Sequence, residues 1–225
     1  MEPRVLVVDY GAGNLRSVAR ALAHVGADPR VSSDPADLRR ADGVVLPGVG
    51  AAADTMDNLR RRGLIEPICE YVGSGKPFLG VCMGLQALFE RSEEGGGQEC
   101  LGVLPGVVRH FEMSDLKVPH MGWNTVRWTR DHPVVRGIPG DRFFYFVHSF
   151  YPEPADPGLV LGTTTYGRTF ASVVARDNVI ATQFHPEKSG HWGLELYRAF
   201  AEWVRTGDVA RPGAGAAVVT PGGHD

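Results

Sequence analysis

Phe78-Leu79-Gly80-Val81-Cys82-Met83-Gly84-Leu85-Gln86 is a short apolar run that ends at one thiol, with a glycine two residues away on each side. A helix-compatible stretch follows. Strand, tight turn, nucleophile and helix, in that order, make a nucleophile elbow. The turn pushes the side chain out of the sheet, and the glycines let neighbouring backbone pass closely. The N-terminus of the following helix is expected to favour a negatively charged sulfur.

Upstream, Val5 to Val8 is a continuous apolar run suited to a buried parallel strand. It ends in the glycine-rich turn Asp9-Tyr10-Gly11-Ala12-Gly13-Asn14. Leu15 to Val25 then carries Leu15, Val18, Ala19 and Leu22 on one helical face, and Gly26 would end it. Asp28 to Ser32 and Gly43 to Leu46 read as further strands, the latter broken by Pro47-Gly48-Val49-Gly50. Helices are expected at about 51–61 and 64–72. This alternation over the first 90 or so residues implies right-handed βαβ units and a mostly parallel sheet.

Downstream the character changes. Val107 to Phe111, Trp123 to Trp128, Arg142 to Val147, Leu159 to Tyr166, Phe170 to Arg176 and Val179 to Phe184 look like short strands punctuated by Gly, Pro and Asn. An amphipathic helix is expected from about Gly193 to Thr206. The expectation is one α/β domain over residues 1–206, its later strands adding antiparallel pairs. The Gly/Ala/Pro-rich tail, residues 207–225, has little to bury and is expected to be disordered.

Composition narrows the function classes. The chain has 225 residues, 43% of them hydrophobic, and a net charge of −3, so nothing points to a nucleic-acid footprint or a polybasic membrane surface. No apolar run approaches the roughly 18 residues of a bilayer span. The N-terminus is too short and too acidic for a signal peptide. Cys69, Cys82 and Cys100 are odd in number and lack paired spacing, which suggests a reducing compartment. A soluble cytoplasmic protein is expected. No His and Cys cluster has zinc-ligand spacing, so no metal is expected. The Gly11 to Asn14 turn lacks Gly-x-Gly-x-x-Gly, because position 16 is Arg, so no nucleotide cofactor is expected either.

A thiol nucleophile needs a base, and the base needs an orienting group. His185, in Gln183-Phe184-His185-Pro186-Glu187, follows an apolar strand and precedes a proline. Glu187 could hold its imidazole in the right tautomer. Parallel strands that end at one sheet edge would bring Cys82 and His185 together there. The backbone N–H of Met83 is the natural first oxyanion donor, and the Pro47–Gly50 loop can supply a second. Each feature alone has a plainer reading: a buried thiol as a small hydrophobe, a structural histidine, an ordinary strand-to-helix turn.

Gly80-Val81-Cys82-Met83-Gly84-Leu85-Gln86 and Gln183-Phe184-His185-Pro186-Glu187 resemble the two signatures of the class I (triad) glutamine amidotransferases. The resemblance runs from about residue 4 to 205. Within that class, three stretches resemble the glutaminase subunit of imidazole glycerol phosphate synthase. They are Asp9 to Leu15, Leu46-Pro47-Gly48-Val49-Gly50, and Pro119-His120-Met121-Gly122-Trp123-Asn124. Many members of the class carry Pro-Gly-Gly where this chain has Pro-Gly-Val-Gly.

The resemblance implies a flavodoxin-like fold and a Cys82-His185-Glu187 triad that hydrolyses glutamine, with Met83 and Val49 or Gly50 as oxyanion donors. It assigns Gly48, Gln86 and Glu94 to glutamine binding. It assigns His148-Ser149-Phe150 to the substrate's amino-acid end, with Phe150 in place of the usual Tyr. Asn14, Met121, Trp123, Asn124 and Lys188 match positions that face a partner, a (β/α)8-barrel cyclase subunit that takes the ammonia in histidine biosynthesis. The Pro47–Gly50 loop is expected to be a switch, its amides turned correctly only when partner and acceptor are bound. The competing readings are a glutaminase feeding another synthase (for pyridoxal phosphate or anthranilate), a stand-alone cysteine hydrolase or peptidase, and a non-catalytic binding subunit.

Overall fold

The computed structural model describes residues 2–112 and 116–207. Of the tail expected to be disordered, residues 208–225 lie outside the described residues.

The first half alternates as its pattern requires. β1 (Arg4–Val8), α1 (Leu15–His24), β2 (Asp28–Ser32), α2 (Pro35–Arg40), β3 (Gly43–Gly48), α3 (Ala52–Arg61), α4 (Ile65–Gly73) and β4 (Phe78–Cys82) follow one another. After β4 the expected helix is one four-residue turn, α5 (Met83–Gln86). The chain then enters β5 (Phe89–Ser92), β6 (Gln98–Glu99) and β7 (Leu104–His110). A single turn sums too few peptide dipoles to act as the expected macrodipole.

The later elements are β8 (His120–Trp128), β9 (Arg142–His148), β10 (Phe150–Pro154), β11 (Val160–Tyr166), β12 (Arg168–Arg176), β13 (Val179–Thr182) and α6 (Gly190–Thr206). The main sheet has nine strands in the order β2-β1-β3-β4-β13-β12-β11-β8-β9. Its first five strands are parallel, and the rest add antiparallel pairs. The parallel half has the flavodoxin-like doubly wound order.

Strand alternation divides the core in two. Val5, Val7, Val45, Leu79 and Val81 pack on one face with Val18 and Leu22 of α1 and Phe200 and Trp203 of α6. Leu6, Val8, Val44, Leu46 and Phe78 pack on the other with Leu59 of α3 and Ile68 of α4. Both faces are covered, which is why the parallel strands read as unbroken apolar runs.

A second sheet, in the order β10-β7-β5-β6, is only partly legible in the sequence: β7 is expected as Val107 to Phe111, the other three strands are not. β5 is Phe-Glu-Arg-Ser, too polar to suggest a strand, and β10 carries Pro152 and Pro154. Those prolines are tolerated because β10 is an edge strand. Among the described residues no helix is long and apolar enough to cross a membrane.

Candidate active site

The elbow forms where β3 and β4 end side by side, with Gly48 paired to Cys82. Cys82 has φ 55° and ψ −107°, a conformation an L-residue holds only when its surroundings impose it. Two glycines impose the approach. A Cβ on Gly84 would sit 1.8 Å from the Leu46 carbonyl oxygen. One on Gly48 would sit 2.6 Å from Tyr10 Oη and 2.7 Å from Met83 Cβ. The elbow thus presses on the end of the neighbouring strand.

β13 lies on the other side of β4, with Thr182 opposite Val81. Beyond it Phe184 turns into the core, stacked on Phe144 with centroids 4.1 Å apart. Gln183, just before it, reaches Cys82, its Nε2 3.7 Å from Sγ, and His185, just after it, lines the same cavity as Cys82. His185 N–H donates to the Tyr145 carbonyl at 2.9 Å, and Ser189 Oγ donates to the His185 carbonyl at 2.6 Å. The ring is therefore set by backbone on both sides.

His185 Nδ1 meets Glu187 Oε1 at 2.9 Å, and Tyr197 Oη donates to the other carboxylate oxygen at 3.5 Å. Nδ1 is committed to the carboxylate, so Nε2 remains for the sulfur. Burial works to lower the His185 pKa, but Cys82 and Glu187 outweigh it and raise it to about 10. The site is built to hold an imidazolium between a sulfur and a carboxylate.

These groups open on a cavity of about 430 Å³. Val49, Gly50, Met83, Gln86, Glu94 and residues 147–150 line it together with Cys82 and His185. Glu94 also accepts from the Ala52 N–H at 2.6 Å, which ties its carboxylate to the start of α3. Gln86 donates from Nε2 to the Phe150 carbonyl at 3.1 Å and to Gln183 Oε1 at 3.0 Å. Among the described residues its buried Oε1 has no hydrogen-bond partner.

His148 is held by its side chain. Nδ1 donates to the Phe150 carbonyl at 2.7 Å, because a carbonyl can only accept. Nε2 must then accept, and it does so from His120 Nδ1 at 2.9 Å. His120 Nε2 in turn takes an N–H from Asn124 at 3.3 Å. Both rings are neutral: burial pushes His148 down to about 3 and His120 down to about 4. With the imidazole so engaged, residues 148–150 offer a ligand mainly backbone. The Phe150 ring packs edge-on to His110, centroids 4.9 Å apart, and a hydroxyl there would play no part in the cavity's backbone contacts.

In the Pro47–Gly50 loop Gly50 has φ 94° and Val49 is 41% exposed. Tyr10, fully buried beneath Gly48, has its pKa pushed up to about 12, first by burial, with Thr55 and the Val49 backbone acting the other way. The opening motif thus supplies a buried hydroxyl under the loop, which sequence reading missed.

Strand pairing sorts the expected partner-facing residues. Met121 lies opposite Val147, Trp123 opposite Tyr145, and Thr125 opposite Phe143, all on one face of β8 and β9. Met121 is 63%, Trp123 55% and Phe143 56% exposed. Lys188 lies over the Tyr145 ring, 5.7 Å from its centroid. Asn124 is on the opposite face, paired with Phe144, and its side chain is spent on Thr165, Thr125 and His120. Asn124 therefore does not share the exposed face of Met121 and Trp123, although it is only half-buried. Asn14 stands at the N-cap of α1 without a side-chain cap bond. Phe143 and Tyr145 were not singled out in the sequence; their alternation with buried Phe144 and Phe146 was the available signal. Among the described residues no cluster of three or more His, Cys, Asp or Glu could hold a metal.

The family model described as "Glutamine amidotransferase class-I" matches residues 6–201. The chain is 51% identical to the imidazole glycerol phosphate synthase subunit HisH of Nitrosococcus oceani, covering 88% of this chain and 97% of that relative. It is 50% identical to the HisH of Salinibacter ruber, covering 91% and 97%. In fold it is similar to the structure of PurLQS from Thermotoga maritima, with a TM-score of 0.74 at 19% identity, covering 91% of this chain and all of that one.

Proposed function

The chain belongs to the class I glutamine amidotransferase family, and we infer that it is the glutaminase subunit of an imidazole glycerol phosphate synthase, acting in histidine biosynthesis. One observation carries the chemistry: a strained Cys82 and a Glu187-bound His185 share one cavity. Cys82 Sγ attacks the side-chain amide carbon of glutamine, and the carbonyl oxygen becomes an oxyanion. The oxyanion collapses, the C–N bond breaks, and His185 gives its proton to the leaving nitrogen. Ammonia departs and a thioester remains. His185 then takes a proton from water as that water attacks, and glutamate leaves with the sulfur restored.

Gln86, Glu94 and the backbone of 148–150 bind glutamine in this reading. Met83 N–H and an amide of Val49 or Gly50 hold the oxyanion. The partner is a (β/α)8-barrel cyclase seated on the Met121, Trp123 and Phe143 face. That face is apolar and aromatic, as an interface core is. It runs through Val147 and Pro119 to the cavity mouth. The Pro47–Gly50 loop remains our candidate for the switch that couples hydrolysis to the partner.

The test is ammonia release from glutamine by the chain alone and with the barrel subunit plus its nucleotide. Activity should rise with the partner and vanish in Cys82→Ala while the complex still forms. Activity that survives Cys82→Ala would overturn the nucleophile assignment. Full activity without a partner would overturn the switch.

A further inference from the structure

Gln183 contributes no charge and cannot act as a proton-transfer base, yet its side chain ends at the nucleophile. It is fully buried, and its Nε2 lies 3.7 Å from Cys82 Sγ, within the range of an N–H to sulfur contact. Its Oε1 accepts from Gln86 Nε2 at 3.0 Å. The backbone is fixed as well, since Gln183 N–H donates to the Ser172 carbonyl at 2.8 Å.

The orientation of this carboxamide is determined by its neighbours. The Phe150 carbonyl can only accept, so the Gln86 group facing it must be NH2. That NH2 also faces Gln183, so the Gln183 atom it meets must be oxygen. The Gln183 NH2 is then the end turned to the sulfur. His148 Nδ1 donates to the same Phe150 carbonyl, so the chain of bonds is anchored at a backbone oxygen with two donors on it.

We propose that Gln183 is a positioning residue for the nucleophile, its carboxamide holding Cys82 Sγ in line for attack. The proposal rests on the reading of Cys82 as the nucleophile. An N–H can stabilise electron density on sulfur but offers nothing to an S–H proton, so the contact is stronger for the attacking form. It also limits rotation of the side chain, which near-attack geometry requires. The segment that supplies the base therefore supplies a second hold on the sulfur, two residues earlier. The opposite end of the same amide sets Gln86 in the cavity wall.

Two substitutions separate these ends, both made in the chain complexed with its barrel partner. Gln183→Glu keeps an acceptor for Gln86 and removes the donor to sulfur. Gln183→Met has similar volume and removes both. Expected for Gln183→Glu are a kcat lowered about tenfold, the value of one lost hydrogen bond, and a KM for glutamine within about twofold. The rate of Cys82 carbamidomethylation by iodoacetamide at fixed pH, followed by mass spectrometry, should fall in parallel. Gln183→Met should lose kcat and alkylation rate and also raise KM. If the buried carboxylate prevents Gln183→Glu from folding, as judged by thermal melting, the alkylation rate of Gln183→Met decides. Unchanged kcat and alkylation, with or without a change in KM, would overturn the proposal while Cys82→Ala remained inactive. An active Cys82→Ala would instead overturn the reading beneath it.

Discussion

His185 Nδ1 lies 2.9 Å from Glu187 Oε1, and each of the two side chains is 2% exposed. The pair is sealed from solvent on the Nδ1 side, and Nε2 is left without a fixed bond. A ring held in this way can exchange a proton only through Nε2. Replacing Glu187 by Gln keeps the shape and removes the charge that supports the imidazolium. It can also present an N–H to Nδ1, which forces the proton onto the wrong nitrogen. We expect Glu187→Gln to lower glutaminase kcat by about 10²- to 10⁴-fold with KM nearly unchanged. Steady-state ammonia release in the complex measures this, and a loss under about threefold would remove Glu187 from the triad.

The elbow makes a stability prediction as well. A methyl group at Gly84 would meet the Leu46 carbonyl oxygen at 1.8 Å. That oxygen belongs to β3, whose pairing with β4 carries the site, so relief would have to come from backbone movement. Gly84→Ala should cost about 3 kcal/mol or more in urea unfolding. Gly137 has nothing within 4 Å of its built Cβ, and Gly137→Ala should leave the midpoint almost unchanged. Equal midpoints for the two variants would contradict the close approach.

Acid stability follows from three buried histidines. Burial lowers His120 and His132 to about 4 and His148 to about 3, against an unfolded value of about 6.5. Below about pH 6.5 the unfolded chain binds protons that the native one refuses. The stability these groups confer is therefore complete above that pH and is lost as pH falls toward their folded values. Each can contribute up to about 1.4 kcal/mol per pH unit. His185, with its raised pKa, is protonated in the native state throughout, while its unfolded ring takes up its proton near about pH 6.5; it opposes the fall just below about pH 7 and adds no slope well below about 6.5. Urea midpoints between pH 7 and 5 should fall steadily, and His132→Phe should flatten the fall. A flat profile would mean that these rings take up protons in the native state.

The parallel half of the fold was legible because β1, β3 and β4 are buried on both faces and read as unbroken apolar runs. Cys82, His185 and Glu187 were legible because each is fixed by its own short stretch: glycines around the turn, a strand end, a proline. Of the small sheet only β7 was, since β5 is too polar and β10 too rich in proline. Gln183 was quoted in a motif but not singled out, because its meaning lies in contacts with Gln86 and Cys82, 97 and 101 residues away in sequence. That Asn124 stands apart from Met121 and Trp123 has a simpler reason. It follows Trp123 directly, and neighbours on a strand face opposite ways.

The same alternation narrows the docking face we propose beyond what the motif alone implied. Met121, Trp123 and Phe143 stand out on one side of β8 and β9, while Phe144 is buried and Asn124 half-buried on the other. The Lys188 ammonium over Tyr145 adds a cation at the rim. Interfaces concentrate their energy in a few buried aromatics. Trp123→Ala and Phe143→Ala should each weaken binding of the barrel subunit by about 2 kcal/mol, roughly thirtyfold in Kd. Asn124→Ala should act differently, because its side chain reaches the His120 and His148 rings and not the outer face. It should change the KM for glutamine more than the Kd for the partner. Calorimetric titration of the two subunits, together with ammonia kinetics at saturating partner, separates the effects. A Phe143→Ala variant that binds as tightly as the parent would move the interface off this face.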